Sequence, residues 1–353
     1  MSPTSDLPFQ LVVREGPEYA AKILAADLRE RLRPRSLWPG MGASPLTSED
    51  LRTIGRLRGV IQYEFGVPLS TEGLIATLPT GGFKVSVARG DDTGRARYTL
   101  AHEIGHTFFY DIDGMPPRRL APYSRSPTAA AEVRTAMTLE EKFCNSFAAE
   151  LLFPWDRAKV ELLHCGRIED TSELLAHVED ISRRWSISVE LTLRRFNETY
   201  GVAANSNRIV SIMRWRPNLK TGREPGLRIT FSLPRPCGNW FLPTNTRASS
   251  VGLFGADALF DKWQQFEHRE PGRKYRRSGV FDLRYESGTP TILENEHSPA
   301  APCIETLRLW RRSPEHTRWR RVRVQAPVTH RLYAANQNEA YAVALVNLSR
   351  ASC

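Results

Sequence analysis

Cysteine is scarce in this chain, and what there is does not pair. The five residues Cys144, Cys165, Cys237, Cys303 and Cys353 are odd in number, widely spaced and without a CxxC pair. That argues against a disulfide framework and against a thiolate zinc site. The chain also lacks any apolar run long enough to cross a bilayer. Its N-terminal stretch, MSPTSDLPFQLVVREGPEYAAK, carries acids and has no basic region leading into a long apolar core. Internal repeats and low-complexity tracts are absent. Together these absences lead us to expect a cytoplasmic protein that keeps its thiols reduced and has no membrane partner.

The composition that remains is globular. Charged residues make up 25% and hydrophobic residues 41% of 353 positions, enough chain for two domains. The net charge of +10 is unevenly placed. Residues 1–205 hold 25 Lys and Arg against 27 Asp and Glu, whereas residues 206–353 hold 24 against 12. The second half therefore carries the basic surplus and is the half to suspect of an anionic partner.

Apolar residues at helical spacing predict a helix over Glu18–Arg33. The Pro-, Gly- and Ser-rich stretch from Pro34 to Pro45 reads as a linker. A capped amphipathic helix is expected from about Thr47 to Phe65, stopped by Gly66 and Pro68. Strands are expected near Gly73–Leu78 and Phe83–Ala88 around the turn 79–82. Helices then follow over about Tyr98–Tyr110 and Thr128–Leu152, separated by an irregular stretch with four prolines, with more helix as far as Tyr200. After Asn205 the period changes to two, at 208–215, 227–233, 279–285, 305–312, 318–325, 328–334 and 340–348, which predicts a β-rich barrel or sandwich. The expected segments are an N-terminal extension and linker (1–46), a core (47–160), a helical segment (161–205) and a basic β-rich domain (206–353).

The chemistry is concentrated at His102-Glu103-Ile104-Gly105-His106. Residues four apart on a helix share a face, so the two imidazoles can bind one zinc ion, with Glu103 beside them as general base for a water. Leu100, Ala101, Ile104, Phe108 and Phe109 imply that this helix is buried. A pair of buried histidines and a glutamate need partners there, and a metal is one. A catalytic site needs a third ligand. No HExxHxxGxxH pattern continues here, because Phe109 and Ile112 stand where its Gly and third His would be. Glu141 on the second helix is the best candidate, with Glu140 as the alternative. Asn145, four residues beyond Glu141, is expected to hydrogen-bond a ligand.

TLAHEIGH followed by EKFCNSFAAELLFP resembles the ImmA/IrrE family of metallopeptidases, as do FGVP at Phe65–Pro68 and ISRRWSISVELTLRRF at Ile181–Phe196. The resemblance spans about Thr47 to Tyr200. It implies an α+β chain: a zincin-like, mostly helical peptidase domain with a small sheet, followed by the β-rich part. It also implies a gluzincin-type site with Zn(2+) on His102, His106 and Glu141, and Glu103 as the base. The substrate it implies is a cytosolic protein such as a helix-turn-helix repressor, cut in stress response or mobile-element control. Cys144 stands where the family usually has Ala, and Tyr110 where many members have another His. Tyr110 is accordingly a candidate for stabilising the oxyanion, one turn beyond His106.

Other features point less sharply. Arg118 and Arg119 lie in the stretch between the two ligand helices, which suits a gate or a grip on an acidic segment. Leu309-Trp310-Arg311-Arg312 and Arg318-Trp319-Arg320-Arg321 interleave Arg with aromatics, a pattern that suits nucleic acid or an acidic protein face. Three functions follow as expectations: a zinc endopeptidase, a DNA-binding regulator with a structural or vestigial metal site, and a binding partner in a toxin–antitoxin or phage-related pair.

Overall fold

The computed structural model describes residues 7–32, 45–90, 93–120, 129–163, 165, 168, 170–200, 208–216, 226–233, 240–268, 279–286, 289–294, 302–312, 319–334 and 340–348. Most of the expected linker, part of the loop before the second ligand helix, Arg318, Cys237 and Cys353 lie outside them. The fold is mixed α+β, as expected. The chain divides into two compact units, one formed by 1–161 and 181–192, the other by 162–180 and 193–353. The expected helical segment 161–205 is thus shared between them.

The first unit begins with α1 (Leu7–Glu15), α2 (Pro17–Leu32) and α3 (Ser48–Leu57). Thr47 and Asp50 cap α3 reciprocally: the Thr47 N–H donates to Asp50 Oδ2 at 2.8 Å and the Asp50 N–H to Thr47 Oγ1 at 3.1 Å. The helix does not run on to Phe65. It ends before Gly59, whose φ of +78° is a left-handed conformation that glycine adopts without strain. Val60–Phe65 is instead strand β1. Its β-branched and aromatic residues suit a pleated surface, and pairing with a neighbouring strand overrides the amphipathic period. β2 (Gly73–Thr77) and β3 (Phe83–Val87) form as expected. The sheet order is β1-β3-β2, with β1 parallel and β2 antiparallel to β3, so β2 is an edge.

Helix α4 (Gly94–His106) starts at Thr93, whose hydroxyl accepts the Ala96 N–H at 3.0 Å. Leu100, Ala101 and Ile104 are fully buried, while His102 and His106 keep partial access to solvent. A 3₁₀ turn at Thr107–Phe109 follows. Tyr110 then lies on β4 (Tyr110–Asp111), paired with β5 (Arg118–Arg119), and not on the helix as expected. Tightening to 3₁₀ at residue 107 breaks the one-turn relation to His106.

Helix α5 (Ala129–Leu152) packs on α4 with Cys144 against Gly105, and its Phe143, Cys144, Phe147 and Leu151 are fully buried. Phe108, Phe109, Phe143 and Phe147 form an aromatic cluster with ring centroids 5.2 to 5.8 Å apart. Each such ring contributes about 1.5–3 kcal/mol by burial, and each good pair about 0.5–1.5 kcal/mol more. α6 (Trp155–Glu161) follows. The end of α7 (Thr171–Trp185) closes this unit where Trp185 meets Phe153 at 4.8 Å, with the start of α8 (Val189–Tyr200) beside it.

Among the described residues the second unit holds eight strands in one sheet, the β-rich domain expected as a barrel or sandwich. They are β6 (Arg208–Arg216), β7 (Gly226–Leu233), β8 (Trp240–Phe241), β9 (Gly279–Glu286), β10 (Thr289–Glu294), β11 (Cys303–Arg312), β12 (Trp319–Ala334) and β13 (Ala340–Asn347). The pairing runs β10-β9-β12-β13-β6-β7, with β11 on β12 and β8 on β11. The expected strands 318–325 and 328–334 are one strand. Pro327 interrupts the sequence pattern but not the ladder, where it pairs with Ile304. α9 (Phe254–His268) covers one face, over a core that includes Leu227, Ile229, Leu259, Leu307, Val324, Leu332 and Val346. Within this unit Arg331 reaches Glu179 at 2.6 Å, and the Tyr333 hydroxyl donates to the same carboxylate. No helix among the described residues is long and apolar enough to cross a membrane.

Glu72, just before β2, tests how the small sheet is tied to α4. It receives Arg89 at 3.0 Å and Arg95 at 3.2 Å. Burial works against its charge, yet the two guanidinium groups hold its carboxyl below the ordinary value of 4.5. A depressed folded-state pKa gives stability that is present above the unfolded value and lost as pH falls through the folded one. Glu72→Gln is expected to cost about 1 kcal/mol at neutral pH, seen as a lower melting temperature, with the difference fading below a pH of about 4.

Candidate metal centre

Helices α4 and α5 bring the expected ligands together. His102 Nε2 and His106 Nε2 lie 3.2 Å apart. Glu141 offers Oε2 at 3.4 Å from His102 Nε2 and Oε1 at 3.6 Å from His106 Nε2. An ion with tetrahedral bonds of 2.0–2.1 Å needs ligand atoms about 3.3–3.4 Å apart. The distances are close to that spacing, although the two imidazoles face different oxygens of Glu141, and the set suits a small divalent ion. The three side chains also form a group in which all ligand atoms lie within 4.8 Å of one another.

The close approach of the two helices has a local cause. A Cβ on Gly105 would lie 3.2 Å from Cys144 Cα and 3.3 Å from its Cβ and Sγ. A hydrogen at position 105, against a small residue at 144, lets α5 carry Glu141 up to the imidazoles without the neighbours having to give way. Burial pushes the Cys144 thiol well above its ordinary pKa, so it serves as a small apolar filler.

Glu140 is placed differently from Glu141. Its Oε1 lies 2.7 Å from His106 Nδ1, on the side of the ring away from Nε2, and it also receives Arg119. A carboxylate there fixes the tautomer with hydrogen on Nδ1 and leaves the Nε2 lone pair free for a metal. Glu140 thus orients a ligand, a position that the spacing of two adjacent glutamates could not distinguish from ligation. Arg119, expected to grip an acidic segment, is engaged with Glu140. Asn145 does not touch a ligand side chain: its amide donates to the Glu141 carbonyl at 2.7 Å and its Oδ1 accepts from the Tyr98 hydroxyl at 3.0 Å. It steadies the turn of α5 that holds Glu141.

Glu103 is buried on the same turn of α4, and burial is the main reason its carboxyl is pushed above 4.5. For His106 burial lowers the pKa, but Glu140 and the nearby charges of Glu103 and Glu141 raise it on balance. Glu141 is lowered, chiefly by its contact with His102. All these groups line a cleft of about 500 Å³. Tyr110 lines it too, with its ring edge-on to Phe83 at 5.2 Å and Arg119 5.7 Å from its centroid. So do Gly73, Leu74 and Ile75 of the edge strand β2. At Gly73 a Cβ would lie 2.6 Å from Glu103 Oε1, so this strand passes directly over the glutamate.

His106→Ala is expected to abolish high-affinity zinc binding in a competitive chelator titration. Glu140→Gln keeps all three ligands but loses the carboxylate on Nδ1, and is expected to weaken zinc about 10- to 100-fold.

No protein family and no curated protein matches this chain. Among solved structures it is similar to a chain described as a Mycobacterium tuberculosis transcriptional regulator, at 13% identity and a TM-score of 0.39, covering 98% of this chain and 81% of that one. A likeness that distant carries no argument about activity.

Proposed function

We propose that this chain is a zinc-dependent endopeptidase of the gluzincin type that cuts a regulatory protein. The observation that carries the reading is the convergence of His102, His106 and Glu141, with the Glu103 carboxyl buried beside them in an open cleft. A purely structural site has no need of an uncoordinated acid at that place. The motif resemblance to ImmA/IrrE peptidases adds the substrate class, a helix-turn-helix repressor.

A zinc ion held by His102, His106 and Glu141 would supply Lewis acidity, which brings the pKa of water near 7. Glu103 would take the proton from the attacking water and return it to the leaving amine. His106 is held in one tautomer by Glu140, which Arg119 steadies in turn. Tyr110 is the candidate donor to the carbonyl oxygen of the scissile bond. The unpaired edge of β2 offers backbone groups to an extended peptide, and Leu74, 52% exposed, offers it an apolar side chain.

Purified wild type and Glu103→Gln, each incubated with helix-turn-helix repressors encoded nearby, provide the test. Wild type is expected to yield discrete fragments. Glu103→Gln is expected to bind zinc as well as wild type and to cut at least ~100-fold more slowly. Gly73→Ala is expected to lower kcat while leaving metal affinity unchanged, because the methyl displaces Glu103 and not a ligand. Equal cleavage by wild type and Glu103→Gln overturns the assignment of the base. Salt-dependent nucleic-acid binding by the chain with no cleavage of any repressor replaces the peptidase reading with a DNA-binding one.

A further inference from the structure

The β-rich unit contains a second group of ligating side chains. Cys303 and Glu305 lie on β11 and His330 on the neighbouring β12, with one ligand atom from each within 4.8 Å of the others. They sit on the sheet face that otherwise carries Leu307, Leu309, Ala326 and Val328, all fully buried. Glu305 and His330 are themselves buried, and Cys303 is partly exposed. A charged residue on such a face requires compensation. Part of it is visible: Glu305 Oε1 accepts the Gly255 N–H at 2.6 Å, and Oε2 lies 2.9 Å from His330 Nε2. Gly255 is near the start of α9, where partial positive charge also favours a carboxylate.

The ion pair of Glu305 with His330 Nε2 does not involve every polar atom of the group. His330 Nδ1 is buried with no hydrogen-bond partner. The Cys303 thiol also occupies the third corner, where its only role as a donor is a 3.4 Å contact with the Val328 carbonyl. Cys303 and Glu305 both act on the imidazole. Burial alone would lower its pKa, but the Glu305 charge and the neighbouring Cys303 and Glu305 side chains lift it to about 9. The crowding is tight on one side, since a Cβ on Gly255 would lie 2.7 Å from His330 Nε2. Thiolate, imidazole and carboxylate together are the donor set of zinc among the common divalent ions. The carboxylate is anchored by a backbone N–H, as ligating carboxylates are.

We propose that Cys303, Glu305 and His330 form a second zinc site, which ties β11 and β12 to the start of α9. The cysteine spacing in the sequence conceals it, because its ligands come from adjacent strands and only one is a thiol. Partial exposure of Cys303 gives the ion a way in. The site stands apart from the peptidase reading and needs none of its residues.

Cobalt(II) separates the two sites, because only a thiolate ligand gives the near-ultraviolet sulfur-to-cobalt charge-transfer band. Metal-stripped full-length protein titrated with cobalt is expected to develop that band. It is expected to persist when His102 and Glu141 are replaced by Ala and Gln, and to vanish in Cys303→Ser and in His330→Asn. A test on unaltered protein guards against a variant that fails to fold. With zinc at about ten times its Kd, alkylation of Cys303 by iodoacetamide, followed by mass spectrometry, is expected to slow about tenfold. Absence of the band, its survival in Cys303→Ser, or an alkylation rate indifferent to zinc overturns the proposal and leaves a buried ion pair that caps α9.

Discussion

The contact of α4 with α5 at Gly105 and Cys144 is the constraint on which the candidate centre depends. Two imidazoles one turn apart are an ordinary feature of a helix. They become a potential centre only because a second helix approaches closely enough to add a carboxylate at 3.4 and 3.6 Å. That approach is eased by a glycine on one helix and a small residue on the other, and the aromatic cluster around Phe143 and Phe147 locks it. Packing sets the ligand geometry, and electrostatics then refines it. Glu140, one residue from the third ligand, turns towards the far nitrogen of His106 and so divides the two adjacent glutamates between different tasks.

The sequence made this part of the molecule readable because its signal is local. HExxH is a spacing within one helix, and the helix period places both histidines on one side. Choosing Glu141 over Glu140 is not local, since it depends on how α5 is rotated against α4. The fate of Tyr110 was hidden for a related reason. Extending α4 by four residues keeps a plausible apolar pattern, and only the 3₁₀ turn at 107–109 shows that the backbone leaves the helix first. Val60–Phe65 misled in the opposite way: its residues continue a helical period, but Gly59 stops the helix and pairing with β3 decides the rest.

In the β-rich unit the alternating pattern located most strands but neither their assembly nor their company. The sequence pattern breaks at Pro327, so β12 read as two strands. In the sheet, Val328 of this single strand pairs with Cys303 on one side and Val346 on the other. α9 was missed because nothing around Phe254 gives a strong capping signal. Its packing over the sheet, with Leu259 and Phe260 in the core, justifies it afterwards. The grouping of Cys303, Glu305 and His330 required that register to be known, since 25 residues separate Glu305 from His330.

The edge position of β2 carries a demand on whatever lies beside it. An unpaired strand accepts only backbone that is already extended, and a helical segment keeps its own amide groups occupied. On the proposed peptidase reading, the stretch of a helical repressor to be cut would have to unravel before it could settle in the cleft. The free energy of such local opening ranges from near zero at fraying ends to the full stability of the fold. Selection among partners would then follow how readily each one frays, and a change that stiffens the target helix would protect it without altering a single residue that touches the protein.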